Sequence, residues 1–520
     1  MEKTVEQMSL KEKIGQCFSV GFPGTGLTEE FCRFLKEFQV GNIILFGENI
    51  ESGEQLSGLC GSLRQQVKEN TGIAPFIMID QEGGAIVRLS DDLVNVPGAM
   101  ATAASRDPEN AYLAGQLTGR QLKRLGINFD LAPVMDINCN QDNPVIGIRS
   151  YGDGPGQVGA YAMKMAKGLM SEKVLACAKH FPGHGDTAQD SHLSLPVVDK
   201  PVEELEAMEL RPFREGVEAG IPAIMSTHIL FPALETEKIP ATMSEKILTG
   251  LLRKKYGFQG MILSDCMEMG AIKQYFGTAN GVVKALGAGV DIVLISHTPS
   301  VARESIEAVE KAVQEGSLPE AVIDESVKRI LAFKEAYAEK EVSAGELVSE
   351  QDRQEAYRLL KETITPVAMP LGKIPEAGED PFFAGCYAYR ITLAANVENK
   401  SLSFPQWMEG KLGGASCIFS PNPQEEEIRE IAEKAKGHSS IVIGTYNGHL
   451  QKGQIRLIER LAKLEVPVIV FALRNPYDLK GLPANVTGIA MWEYSVRSFQ
   501  AALELLKGEW TPKGQLPIHW

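Results

Sequence analysis

The chain has 520 residues, a net charge of −15, and 44% hydrophobic and 23% charged residues. A length on this scale holds about two to four domains, fewer if one is a large barrel. The acidic balance, with no basic stripe, argues against nucleic acid and anionic membrane as partners.

The opening "MEKTVEQMSLKEKIGQ" is charged every few residues and lacks the apolar core of a secretory signal. No apolar run reaches the ~18 residues of a membrane span. The eight cysteines are scattered, with no CxxC pair. Reduced thiols in a cytoplasm are therefore expected rather than a disulfide framework or a zinc site.

In chain order, "SLKEKIGQCFSVGF" comes first, with Ser9 and Glu12 at capping-box spacing before a short apolar run. Seven further runs follow: "GNIILFG" (41–47), "PFIMID" (75–80), "INFDLAPV" (127–134), "VLACAKHF" (174–181), "PAIMSTHIL" (222–230), "GMILSD" (260–265) and "GVDIVLIS" (289–296). Near-continuous apolar runs signal burial on both faces, as in parallel strands. Helix-period segments at 105–125, 155–172, 203–219 and 244–256 separate several of them. Eight such units predict a (β/α)8 TIM-type barrel over residues 1–340, with a doubly wound open sheet as the alternative. A barrel places functional side chains at the C-terminal ends of its strands. Asp80, Lys179, His180, His228 and Asp265 all fall there.

Residues 341–360 are polar and read as a helical or extended linker. Five short runs then follow, at 391–397, 416–420, 440–447, 466–474 and 488–492. They predict a smaller three-layer α/β sandwich domain over 361–520. All four tryptophans lie in this second half, so the barrel offers no tryptophan platform for a long glycan.

The segment "KHFPGHGDTAQDSH" (179–192) holds three of the chain's eight histidines. A zinc site through His180 and His184 requires helical i, i+4 spacing. Pro182 and Gly183 between them oppose a helix. A solvated polar loop is a second reading. The third is proton transfer. Asp190 and His192, two apart in an extended segment, project to the same side, where the carboxylate orients the imidazole. Asp265, at the end of a buried strand, is the candidate partner for the other half of such a reaction; an N-cap is its plainer role. His184 is the second choice for the proton, or a brace within the loop. His228 either lines the site, bonds Asp265 or is a satisfied core histidine.

These residues carry a resemblance. "KHFPGHGDTAQDSH" followed by "LSLPVV" resembles the signature of glycoside hydrolase family 3, in its β-N-acetylglucosaminidase branch. "SLKEKIGQ", "IDQEGGAIVRL", "APVMDIN", "GIRSYG", "MSTHILFPALE", "PATMSEKILTGLLRKKYGFQGMILSD" and "RNPYDL" are similar to family segments in order and spacing. The resemblance implies a retaining hydrolase, with Asp265 as nucleophile, His192 as acid/base and Asp190 as its partner. Asp80, Arg149, Lys179 and His180 would bind the sugar. It implies no cofactor and no metal, and a small-molecule glycan as the substrate. Terminal β-linked N-acetylglucosamine from cell-wall fragments is the expected target. A phosphorylase, a β-glucosidase and an inactive sugar-binding sensor are the alternatives. Cys266, following Asp265, departs from the usual acidic or small residue. In the family's glucosidases the acid/base comes from the second domain; here the loop dyad would make that unnecessary. No feature of the sequence sets an oligomeric state.

Overall fold

Eight apolar runs pair side by side, all parallel, in the computed structural model, which describes residues 3–187, 195–339, 346–389 and 400–520. They are β1 (Phe18–Val20), β2 (Asn42–Leu45), β3 (Phe76–Ile79), β4 (Phe129–Asp130), β5 (Leu175–Phe181), β6 (Ala223–Ser226), β7 (Met261–Cys266) and β8 (Ile292–Ile295). β8 returns to β1, with Ser19 opposite Leu294, so the sheet closes. Closure excludes the open doubly wound sheet and bears out the expected barrel. Every residue of β1–β6 and β8 is buried, which is why these strands read as continuous apolar runs. β7 alone departs, its last two residues, Asp265 and Cys266, being half-buried at the barrel mouth.

The Ser9 side chain accepts the Glu12 amide in the expected capping box. The 203–219 pattern is two helices, Val202–Ala207 and Arg211–Glu218, and the second starts beside Pro212. A proline lacks the amide that a continuous helix would need there. The 244–256 pattern forms a helix over Lys246–Lys255 with π-type bonding.

The closed N-terminal end of the barrel contains a buried lysine. Lys334 Nζ donates to Gln16 Oε1 at 2.7 Å and to the Gly41 carbonyl at 2.8 Å. Burial pulls its ammonium down to about 7.

The second sheet has six strands: β9 (Thr365–Ala368), β10 (Pro381–Gly385), β11 (Ala415–Ile418), β12 (Ser440–Thr445), β13 (Val468–Ala472) and β14 (Val486–Ala490). Their order is β11-β10-β12-β13-β14-β9, with β9 antiparallel at the edge. Side chains alternate between the sheet faces, as strand geometry requires. Ile441, Ile443, Val468 and Val470 pack with Ile428, Ile431, Leu457 and Ile458 on one side. Val442, Ile469 and Phe471 pack with Phe404, Met408 and Phe499 on the other. These are the three layers of the expected α/β sandwich. The runs at 416–420, 440–447, 466–474 and 488–492 contain or overlap β11 to β14, whereas 391–397 lies outside the described residues. β9 and β10 were not anticipated. Each carries a proline, Pro366 and Pro381, a residue that argues against a central strand.

The first of these apolar clusters extends to Met100, Ala101 and Ile148 of the barrel half. The second sheet thus packs directly behind the turn that carries Arg149. Among the described residues, no helix is long and apolar enough to cross a membrane.

Candidate active site

The mouth of the barrel gathers charged side chains from four strand ends. Asp80 and Glu82 follow β3. Arg149 ends a short turn, Gly147–Arg149, in the excursion after β4. Lys179 and His180 lie within β5, and Asp265 within β7.

Lys179, 2% exposed, places Nζ 2.7 Å from Asp80 Oδ1 and 2.6 Å from Glu82 Oε1. Arg149 grips the same Glu82 in a two-pronged pair, Nε to Oε2 and Nη2 to Oε1, both 2.8 Å. Burial alone would raise the Glu82 carboxyl. Arg149 and Lys179 outweigh it and hold the group well below the usual carboxylate range. Burial would likewise lower Lys179, but Asp80 and Glu82 raise it above an ordinary lysine. The four groups form a charge-balanced buried cluster, two anions against two cations. It presents donors and acceptors without net charge, which suits the hydroxyls of a neutral sugar.

Two further aspartates hold this cluster in place. Asp136, in the "APVMDIN" turn, lies 2.6 Å from His180 Nδ1 and accepts the amides of His180 at 3.2 Å and His184 at 2.7 Å. Burial would raise its carboxyl, but His180 and His184 bring it below normal. Asp130, fully buried at the end of β4, accepts the Gln81 amide at 2.9 Å, between Asp80 and Glu82. Burial pushes its own carboxyl well above the usual carboxylate range.

Over its described residues, 179–187, the histidine segment is braced rather than helical. Asn143 Nδ2 donates to the carbonyls of His184 at 2.9 Å and Gly185 at 3.0 Å. A Cβ on Gly185 would lie 1.6 Å from the Ile137 carbonyl oxygen, so only glycine fits. His184 Nδ1 is 2.9 Å from Thr187 Oγ1. Burial and the neighbouring His180 lower His184 to about 4, leaving it neutral at physiological pH. These contacts suit the bracing role. Asp190 and His192 lie outside the described residues.

Asp265 Oδ1 accepts the Cys266 amide at 2.7 Å. His228, fully buried, spans from Thr242 Oγ1 (2.9 Å from Nδ1) to the Cys266 carbonyl (3.0 Å from Nε2). It therefore fixes the end of β7 from behind. The Cys266 thiol is pushed up to about 12 by burial and by the nearby Glu268, so it is no thiolate competitor to Asp265.

Sequence reasoning assembled Asp80, Arg149, Lys179 and His180, and the structure brings these four together. It missed Glu82, Asp136 and Asp130. Glu82 carried a signal, since it stands two residues beyond a predicted strand end in "IDQEGG". Asp136 carried one too, in "APVMD".

Comparison with known proteins covers the part of the chain that holds these residues. The model of the glycosyl hydrolase family 3 N terminal domain matches residues 9–333. Beta-hexosaminidase A of Pseudoalteromonas piscicida is 35% identical over 287 residues, 52% of this chain and 48% of that protein. The chain thus spans about half the length of that relative. Beta-hexosaminidase of Nitrosomonas eutropha is 34% identical over 293 residues, 55% of this chain and 82% of that one. Among solved structures, a glycoside hydrolase family 3 beta-N-acetylglucosaminidase from Paenibacillus sp. str. FPU-7 is 35% identical. It superposes with a TM-score of 0.90 over 98% of this chain and 99% of its own. With a closed barrel, an acid at the end of β7 and a matching family model over most of its length, the chain belongs to glycoside hydrolase family 3.

Proposed function

We propose that the protein is a retaining exo-β-N-acetylglucosaminidase that releases terminal β-linked N-acetylglucosamine from small glycans, such as cell-wall muropeptide fragments. The observation that carries this reading is the buried, charge-balanced Asp80–Lys179–Glu82–Arg149 cluster at the same barrel mouth as Asp265. The names of the hexosaminidase and N-acetylglucosaminidase relatives support the choice of sugar.

In this reading Asp80, Lys179, Arg149 and His180 hold the sugar hydroxyls, and Glu82 holds the two cations. The Asp265 carboxylate attacks the anomeric carbon as the bond to the leaving oxygen breaks, forming a glycosyl ester. His192, oriented by Asp190, gives that oxygen its proton. Water, deprotonated by the same imidazole, then cleaves the ester with the β configuration retained. His228 keeps the end of β7 in register.

The test is the purified protein on aryl β-N-acetylglucosaminide and aryl β-glucoside, each with and without phosphate. A pocket built for the N-acetyl group leaves its polar partners unpaired against a plain hydroxyl, so the first substrate should lead by about tenfold or more in kcat/KM. Comparable rates overturn the choice of sugar. Release that depends on phosphate overturns hydrolysis. No turnover of either substrate overturns the enzymatic reading in favour of a sugar sensor.

A further inference from the structure

A cavity of about 770 Å³ lies between the barrel and the second sheet. That volume is typical of small-molecule sites. Neither Asp265 nor Lys179 lines it. One wall is the barrel segment 84–95 that follows Glu82; the other is built from the C-terminal ends of β10, β12, β13 and β14.

Its position follows a general rule of α/β sheets. β10 has β11 on one side and β12 on the other, so the chain reverses its winding between β10 and β12. Ligands of such sheets sit outside the carboxyl ends of the strands, at this reversal. Tyr389, just past β10, and Tyr446, just past β12, both line the cavity. Their rings meet edge to face at 5.1 Å, and Tyr494 closes on Tyr446 at 5.8 Å. The result is an aromatic wall with hydroxyls attached.

The charge in the cavity is uneven. Arg497 is neutralised by Glu493, Nε to Oε1 at 2.6 Å and Nη2 to Oε2 at 2.9 Å. Arg353 is exposed and donates to the Asp92 carbonyl. Arg474 differs from both. It is half-buried two residues past β13, and its Nη1 donates to the Tyr446 hydroxyl at 2.8 Å. Among the described residues no carboxylate lies within ion-pair distance of it, although Asp91 shares the cavity wall. A guanidinium held by one neutral partner keeps donors for a planar anion.

We propose that this cavity binds a sugar bearing a carboxylate, with the acid group on Arg474 and the ring against Tyr389 and Tyr446. The site is separate from the barrel pocket and goes beyond the function proposed above.

Calorimetric titration of the full chain with N-acetylmuramic acid, the barrel pocket being saturated with N-acetylglucosamine, tests it. One further site should fill. Arg474→Gln should weaken that binding by about tenfold or more, the effect of losing a charge-assisted hydrogen bond. Tyr446→Phe, which removes the hydroxyl that holds the guanidinium, should weaken it severalfold. Both variants should turn over aryl β-N-acetylglucosaminide like the wild type, which also reports that they fold. Absence of a second site in the wild type overturns the proposal, as does an Arg474→Gln affinity within threefold of it. If N-acetylglucosamine itself fails to bind, the proposed function is in error, while the N-acetylmuramic acid titration still decides this one.

Discussion

Glu82→Gln is the sharpest probe of the proposed sugar pocket. The substitution keeps the side chain's shape and removes one charge. In the wild type that charge takes two hydrogen bonds from Arg149 at 2.8 Å and one contact from Lys179 at 2.6 Å, with only 7% of the side chain exposed. Removing one partner from a buried ion pair costs about 3–5 kcal/mol. The glutamine oxygen can still accept from one cation, so the lower end, about 3 kcal/mol, is expected. If transition-state binding bears the whole loss, kcat/KM on aryl β-N-acetylglucosaminide falls by roughly a hundredfold. Glu82 has a depressed folded pKa, so its stabilisation is fully present above the ordinary carboxylate pKa. It is lost only as pH falls toward the depressed value. The deficit of Glu82→Gln should therefore be constant between pH 5 and pH 8. Parallel pH profiles of wild type and variant, with circular dichroism as the folding control, measure this. A kcat/KM within threefold of wild type would refute the idea that the cluster organises the pocket.

Asp265→Asn should remain folded and lose several orders of magnitude in kcat, and a 2-fluoro sugar analogue should label Asp265 by mass spectrometry. A label on Glu82 or Glu268 would overturn the nucleophile assignment. His192→Ala should slow substrates with poor leaving groups far more than activated aryl substrates, and Asp190→Ala should do the same more mildly. An equal loss across leaving groups would remove His192 from the donor role. Lys334 is lowered to about 7 in the folded chain, so the unfolded chain binds the extra proton between there and ~10.4, and the stability of the wild type should rise with pH across that window. Lys334→Met should abolish that rise in urea denaturation at pH 7.5 and 9.5; an unchanged slope would place its origin elsewhere.

Much of this molecule is legible locally. A strand buried on both faces must be apolar at every position, so β2, β3, β5 and β8 stand out in the sequence without knowledge of their partners. The same logic placed Asp80, Lys179, His180 and Asp265 at one rim, because barrel strands all run the same way. Other features are decided by partners far along the chain. Glu82 carries a positional signal in "IDQEGG", but its two-pronged pair exists only once Arg149, 67 residues on, folds over it. His228 looks like a site residue by position, but its ring contacts depend on Thr242 and on the carbonyl of Cys266. β9 and β10 are each marked by a proline that argues against a strand; pairing with β14 in one case and with β11 and β12 in the other makes them strands. The cavity around Arg474 has no local signature at all. Burial leaves a periodic trace in sequence because each buried residue must be apolar by itself. A charge pair or a cavity leaves none, because it exists only once two distant segments meet.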